Sequence, residues 1–72
     1  MLLKRSFTIA GHRTSIALEA EFWAVLNSFA MRDGQSLASL VAEVDATRDP
    51  RRPLASALRL YALAAGGHPA AR

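Results

Sequence analysis

His12-Arg13-Thr14-Ser15-Ile16-Ala17-Leu18 runs directly into Glu19-Ala20-Glu21-Phe22-Trp23, and the change of period between the two stretches decides the fold. The first stretch alternates. Thr14, Ile16 and Leu18 fall on one face and Arg13, Ser15 and Ala17 on the other, as a half-buried strand requires. Beyond Glu19, Phe22, Leu26, Phe29 and Ala30 recur at helical spacing. A lone short strand leaves its backbone groups unpaired, and a two-stranded ribbon is the smallest object that satisfies them. The simplest partner is the same strand of a second copy.

Upstream, Lys4-Arg5-Ser6-Phe7-Thr8-Ile9 also alternates, with Arg5, Phe7 and Ile9 on one side, before Ala10-Gly11-His12 turns or kinks the chain. Residues 1–12 are therefore either a hairpin strand or a basic arm leading into the ribbon strand at 13–18. The choice bears on function. A two-stranded antiparallel ribbon fits a DNA major groove, whereas a hairpin on each copy would widen a dimer's sheet to four strands.

Downstream the pattern predicts three helices. The first spans 19–33, with Glu19 and Glu21 in the first turn and Arg32 in the last, matching the macrodipole, and with Gly34 just past its end. Ser36 is the expected N-cap of a second helix over 36–47 that carries Leu37, Leu40, Val41 and Val44. Pro50 and Pro53 bracket a basic loop, and Pro53 suits the first position of a third helix over 53–65, with Leu54, Leu58 and Tyr61 on one stripe. Gly66-Gly67 is expected to end that helix, leaving a frayed tail over 66–72.

Seventy-two residues with 51% apolar content make one domain, too apolar for a disordered chain and too short to be comfortable alone. There is no cysteine, so no disulfide can staple it. His12 and His68 lie far apart, with no CxxC or HExxH spacing, so neither a metal nor a cofactor is expected. Oligomerisation is the remaining staple, and a homodimer is expected. Its core would use Ile16, Leu18, Phe22, Trp23, Leu26, Phe29, Leu37, Leu40, Val41 and Val44. Met31 reads as core filler, and Trp23 and Tyr61 as core or interface rather than platforms for bases. With no signal peptide and no apolar run of membrane length, a cytoplasmic protein without membrane contact is expected.

The net charge of +3 hides segregation. Lys4, Arg5 and Arg13 make residues 1–18 basic. Glu19, Glu21, Asp33, Glu43 and Asp45 make the middle acidic against Arg32 alone. Arg48, Arg51, Arg52, Arg59 and Arg72 make the last third basic against Asp49. Such a pattern reads either as solubility or as a polyanion-binding edge, to which Lys4 and Arg5 would contribute phosphate contacts. Arg51-Arg52 is a solvated loop or a second phosphate contact, and His12 reads as a turn residue. No Ser-His-Asp set, nucleophilic cysteine, glycine-rich phosphate loop or cleft-facing acidic pair is present, which argues against an enzyme.

Strand, helix, Gly34-Gln35-Ser36, helix, in that order and without insertion from Ile16 to Gly34, resembles the ribbon-helix-helix DNA-binding domains, the group of Arc-like and MetJ-like repressors. The string Lys4 to Ile16 and the segment Leu54-Ala55-Ser56-Ala57-Leu58-Arg59-Leu60 look like a small bacterial subgroup of that family with a C-terminal helical extension. The resemblance implies a mainly α fold with a short N-terminal β ribbon, an intertwined homodimer and a third helix. It implies that Arg13, Ser15 and Ala17 read bases in the major groove of double-stranded DNA. Arginine suits guanine, serine can donate or accept at several bases, and alanine can touch only a thymine methyl. Ala17 departs from the polar trio of better-known members, so specificity should be modest. Similarity also implies that Gly34, Gln35 and Ser36 grip phosphate, although the same residues serve capping alone in many proteins.

The expected function is a DNA-binding transcriptional regulator or antitoxin-type repressor, homodimeric with or without higher order on DNA, with the C-terminal helix extending the core or meeting a protein partner. The alternative is a dimeric protein-interaction adaptor that has lost DNA binding because residues 4–9 flank the ribbon strand in one sheet.

Overall fold

The computed structural model describes residues 1–65. Strand β1 (Leu2–Ile9) pairs antiparallel with β2 (His12–Glu19), from Leu2 opposite Glu19 to Ile9 opposite His12. Residues 4–9 are thus a hairpin strand and not an arm, and the partner of β2 is in its own chain. The link is two residues long, with Ala10 at φ 51° and Gly11 at φ 82°. Two positive φ values in a two-residue loop are the type I′ signature, whose twist matches that of the strands it joins.

Helix α1 (Ala20–Arg32) follows β2 directly. Glu19 takes the N-cap position but caps nothing with its side chain. At the other end Gly34 sits at φ 70°, with its amide on the Met31 carbonyl at 3.1 Å and that of Gln35 on the Ala30 carbonyl at 2.9 Å. These two bonds form a Schellman motif, which needs a left-handed residue at that point. Ser36 then caps α2 (Leu37–Thr47) by accepting the Ser39 amide at 3.0 Å.

The loop to α3 (Leu54–Ala64) is tied by Arg48, whose guanidinium donates to Asp45 at 2.9 Å and to the Arg52 carbonyl at 2.7 Å. Pro53 stands one position earlier than expected, at the N-cap, with its carbonyl accepting the Ala57 amide at 3.0 Å. The expected stop at Gly66-Gly67 and the frayed tail lie outside the described residues.

The core forms within one chain. Leu18, Leu26, Leu40, Val41 and Leu58 are fully buried, joined by Ile9, Ile16, Trp23, Phe29, Ala30, Val44, Ala57 and Ala62, with Phe22, Leu37, Leu54 and Tyr61 half-buried against them. Of the ten residues assigned to a dimer core, eight are buried within the chain, with α3 supplying part of the cover, while Phe22 and Leu37 are half-buried. Tyr61 meets the Phe29 ring edge-on at 6.2 Å. Met31 corrects the sequence reading: it is 73% exposed. Phe29 and Ala30 already occupy the inward positions of that turn, so the next residue rotates out to solvent. Among the described residues no helix is long and apolar enough to cross a membrane, and no three His, Cys, Asp or Glu side chains gather as a metal site.

Candidate nucleic-acid interface

Directly opposed residues of an antiparallel pair share a face, so the register sorts the hairpin. Leu3, Arg5, Phe7 and Ile9 lie with Leu18, Ile16, Thr14 and His12 on the side of the helices. Lys4 with Ala17, Ser6 with Ser15 and Thr8 with Arg13 form three rows on the outer side. Arg13, Ser15, Lys4, Ser6 and Thr8 are all exposed, and Ala17 is half-buried. The three residues expected to read bases therefore share one face.

That face is polar and cationic. Ser6 Oγ and Ser15 Oγ are 2.9 Å apart, a hydrogen bond across the two strands. Neither Lys4 nor Arg13 is in a salt bridge among the described residues. Glu19, the acid at the end of β2, is turned to α3: its Oε1 accepts from Arg59 Nε at 2.9 Å. Arg59 also lies 5.9 Å from the centre of the Phe22 ring.

The expected phosphate contacts divide. Lys4 joins the outer face, whereas Arg5 projects on the helix side, its guanidinium 5.5 Å from the centre of the Trp23 ring. There it borders a cavity of about 270 Å³ with Leu3, Trp23, Asn27 and Leu37, the first residue of α2. Trp23 is core, as expected, and its Nε1 donates to the Leu3 carbonyl at 2.8 Å, which ties β1 to α1.

At the start of α2 the Gly34 and Gln35 amides are used by the α1 terminus. The Gln35 side chain accepts from Ser39 Oγ at 2.8 Å and contacts Glu43 at 3.4 Å. Capping accounts for most of what this trio offers. The Ser36, Leu37 and Ala38 amides make no bond among the described residues and remain available to an anion. Arg51 is paired with Asp49, Nη2 to Oδ2 at 3.1 Å, so its charge is partly neutralised in the loop.

Two carboxylates are shifted. The hydrogen bond from Arg59, with one from the Glu19 amide, holds the Glu19 carboxyl below its ordinary range; the side-chain and backbone bonds of Arg51 do the same for Asp49. A carboxylate whose pKa is lower folded than unfolded contributes stability above the unfolded value and loses it as pH falls through the folded one. Melting temperature should therefore drop on acidification below the ordinary carboxylate range. Glu19→Gln should flatten that acid limb in part, leaving the Asp49 share. An acid limb identical in Glu19→Gln and wild type would show that the Arg59 pair contributes nothing to folding.

What the sequence reading missed is the place of Ser6 and Thr8 on this face. The signal was present in the alternation of residues 4–9, but their partners depended on the turn. No curated protein and no solved structure matches the chain. The sequence family described as a ribbon-helix-helix domain matches residues 2–65, which takes in the hairpin and all three helices. An exposed cationic ribbon on a small helical body, matched along almost its whole length, places the chain in the ribbon-helix-helix domain family, whose members are generally DNA-binding transcription regulators that bind as dimers.

Proposed function

We propose that the protein is a weakly sequence-specific double-stranded DNA-binding transcription regulator, a homodimer in which each copy offers the outer face of its ribbon to the major groove. The observation that supports this most is the exposed row of Arg13, Ser15 and Lys4 opposite the core. Arg13 reads guanine through two donors, Ser15 adds an adaptable hydroxyl, and Ala17 gives only apolar contact. Lys4 meets phosphate within the groove. Arg5 and the free amides at the start of α2, which share a flank of the body, meet the neighbouring backbone. An antitoxin-type repressor is the narrower form of this reading, with the protein partner at α3. There Leu60 and Leu63 are each 45% exposed, and Leu60 borders a groove of about 430 Å³ between α2 and α3.

Arg13→Ala should lower affinity for the preferred duplex by about 1–3 kcal/mol and flatten preference among sites, while Lys4→Ala weakens all duplexes alike and reduces the salt slope by about one. Fluorescence anisotropy on selected and random duplexes over a salt series measures both. Equal losses for Arg13→Ala on the two duplexes would reduce it to a phosphate contact. No binding to any duplex at low salt would leave the second reading, a protein-interaction adaptor. The specific observation in favour of that reading is β1 lying beside β2, because pairing along the other edge of β2 gives a sheet too wide for the groove.

A further inference from the structure

We propose that the exposed side of α3 is a docking surface for a second copy of this chain, the two α3 helices packing antiparallel about a two-fold axis. The inference goes beyond the DNA-binding reading and is independent of contacts at the ribbon. It names one occupant for the groove between α2 and α3, the chain itself.

The first observation is an apolar surface left uncovered. Leu60 and Leu63 are both exposed and lie three residues apart, on one side of α3. Leu60 also borders the groove of about 430 Å³, whose apolar walls are Val44 from α2 with Ala57, Tyr61 and Ala64 from α3. Arg59, the one charged residue of α3, is drawn off to Glu19 at 2.9 Å. A two-fold axis sets the residues beside it against their own copies, so a charge there would meet its like. The helix brings none to the face around Leu60 and Leu63.

The second observation is charge at the two ends of the groove. Arg52 borders it in the link before α3, and Glu43 borders it back along α2. Neither is in a salt bridge among the described residues. Arg48 and Asp49 also border it, but Asp45 takes up the first at 2.9 Å and Arg51 the second at 3.1 Å. The groove thus has a cationic end and an anionic end, with apolar wall between them. An antiparallel second copy sets Arg52 toward Glu43 of that copy, and Glu43 toward its Arg52. Complementarity is then met twice by one two-fold contact. A segment carrying one sign of charge would meet its like at one end. The outer face of the ribbon points away from the helices, so pairing at α3 leaves it open.

The test is the mass of the full chain by sedimentation equilibrium, without DNA, over a concentration series into the high micromolar range. Leu60→Asp and Leu63→Asp should each weaken the contact by at least about tenfold, because a carboxylate would have to be desolvated between the helices. The mass reached by the wild type should be halved in either variant. Glu43→Arg and Arg52→Glu each bring like charges together, and each should weaken association by about two- to tenfold. The double reversal in one chain should restore it, and the two single variants should associate with each other more tightly than either does with itself. All four positions are exposed, and melting curves check that each variant is folded. A single-chain mass for the wild type at the highest concentration, or a mass unchanged by both aspartates, would overturn the proposal and leave the groove to a different protein. Weaker association in the double reversal than in either single one would overturn the antiparallel pairing. With no DNA present, failure here is separate from failure of the duplex-binding measurement.

Discussion

Truncation after Thr47 is expected to abolish the cooperative unfolding transition. A chain of this size has a total stability of about 4–11 kcal/mol. Leu58, fully buried, would alone cost about 2–5 kcal/mol on replacement by alanine. Truncation removes it together with Ala57, Ala62, the half-buried Leu54 and Tyr61, and the Arg59 partner of Glu19. It also uncovers the Phe29 ring that Tyr61 meets edge-on. A milder probe is Leu58→Ala in the full chain, for which a fall in melting temperature on the order of 10–30 °C is expected. Circular dichroism melts measure both. An unchanged melt in either would mean that α3 does not pack on this body and that its stripe is kept for another protein.

Trp23→Ala should come next in size, at about 3–5 kcal/mol. The indole is buried, leans on Phe7 with centroids 5.9 Å apart, and donates to the Leu3 carbonyl. Loss of both contacts, each made to β1, should loosen β1 more than β2, because β2 keeps Ile16 and Leu18 in the core. Amide hydrogen exchange read strand by strand is the measurement. Trp23→Phe should cost far less, because the ring remains and water can reach the Leu3 carbonyl on a residue 41% exposed. Uniform deprotection of both strands in Trp23→Ala would show that the hairpin opens as one unit, with no separate fastening of β1.

These contacts also show why some of the fold is legible from residue order and some is not. The strand at His12–Glu19, the Gly34 stop and the Ser36 cap rest on signals within a few residues of one another, and the pattern carries them. The residue order leaves the hairpin open because Ala10-Gly11 is only half of the usual I′ turn pair. Alanine at φ 51° goes against its preference, and it is held there by eight paired residues on either side. Met31 misled because apolar character alone does not say which residue of a turn faces inward. The parity of Arg13, Ser15 and Ala17 could be read directly. That Lys4 joins their face while Arg5 stands over Trp23 depends on the register, which the turn sets. The Glu19 to Arg59 pair joins residues far apart in the chain, and no local pattern announces it.

The closed core bears on how copies of this chain would meet. In an intertwined dimer the strands and helices of each chain complete the other's core, so folding and association are one bimolecular event and copies trade places only by unfolding. Here β1 finds β2 across a two-residue turn, and the body closes over Leu18 and Leu58 from within the same chain. Closing so short a loop is fast and independent of concentration. Assembly would then be the docking of finished units. If copies associate, folded subunits would exchange without unfolding, and the associated fraction would follow the concentration of the chain rather than its unfolding rate.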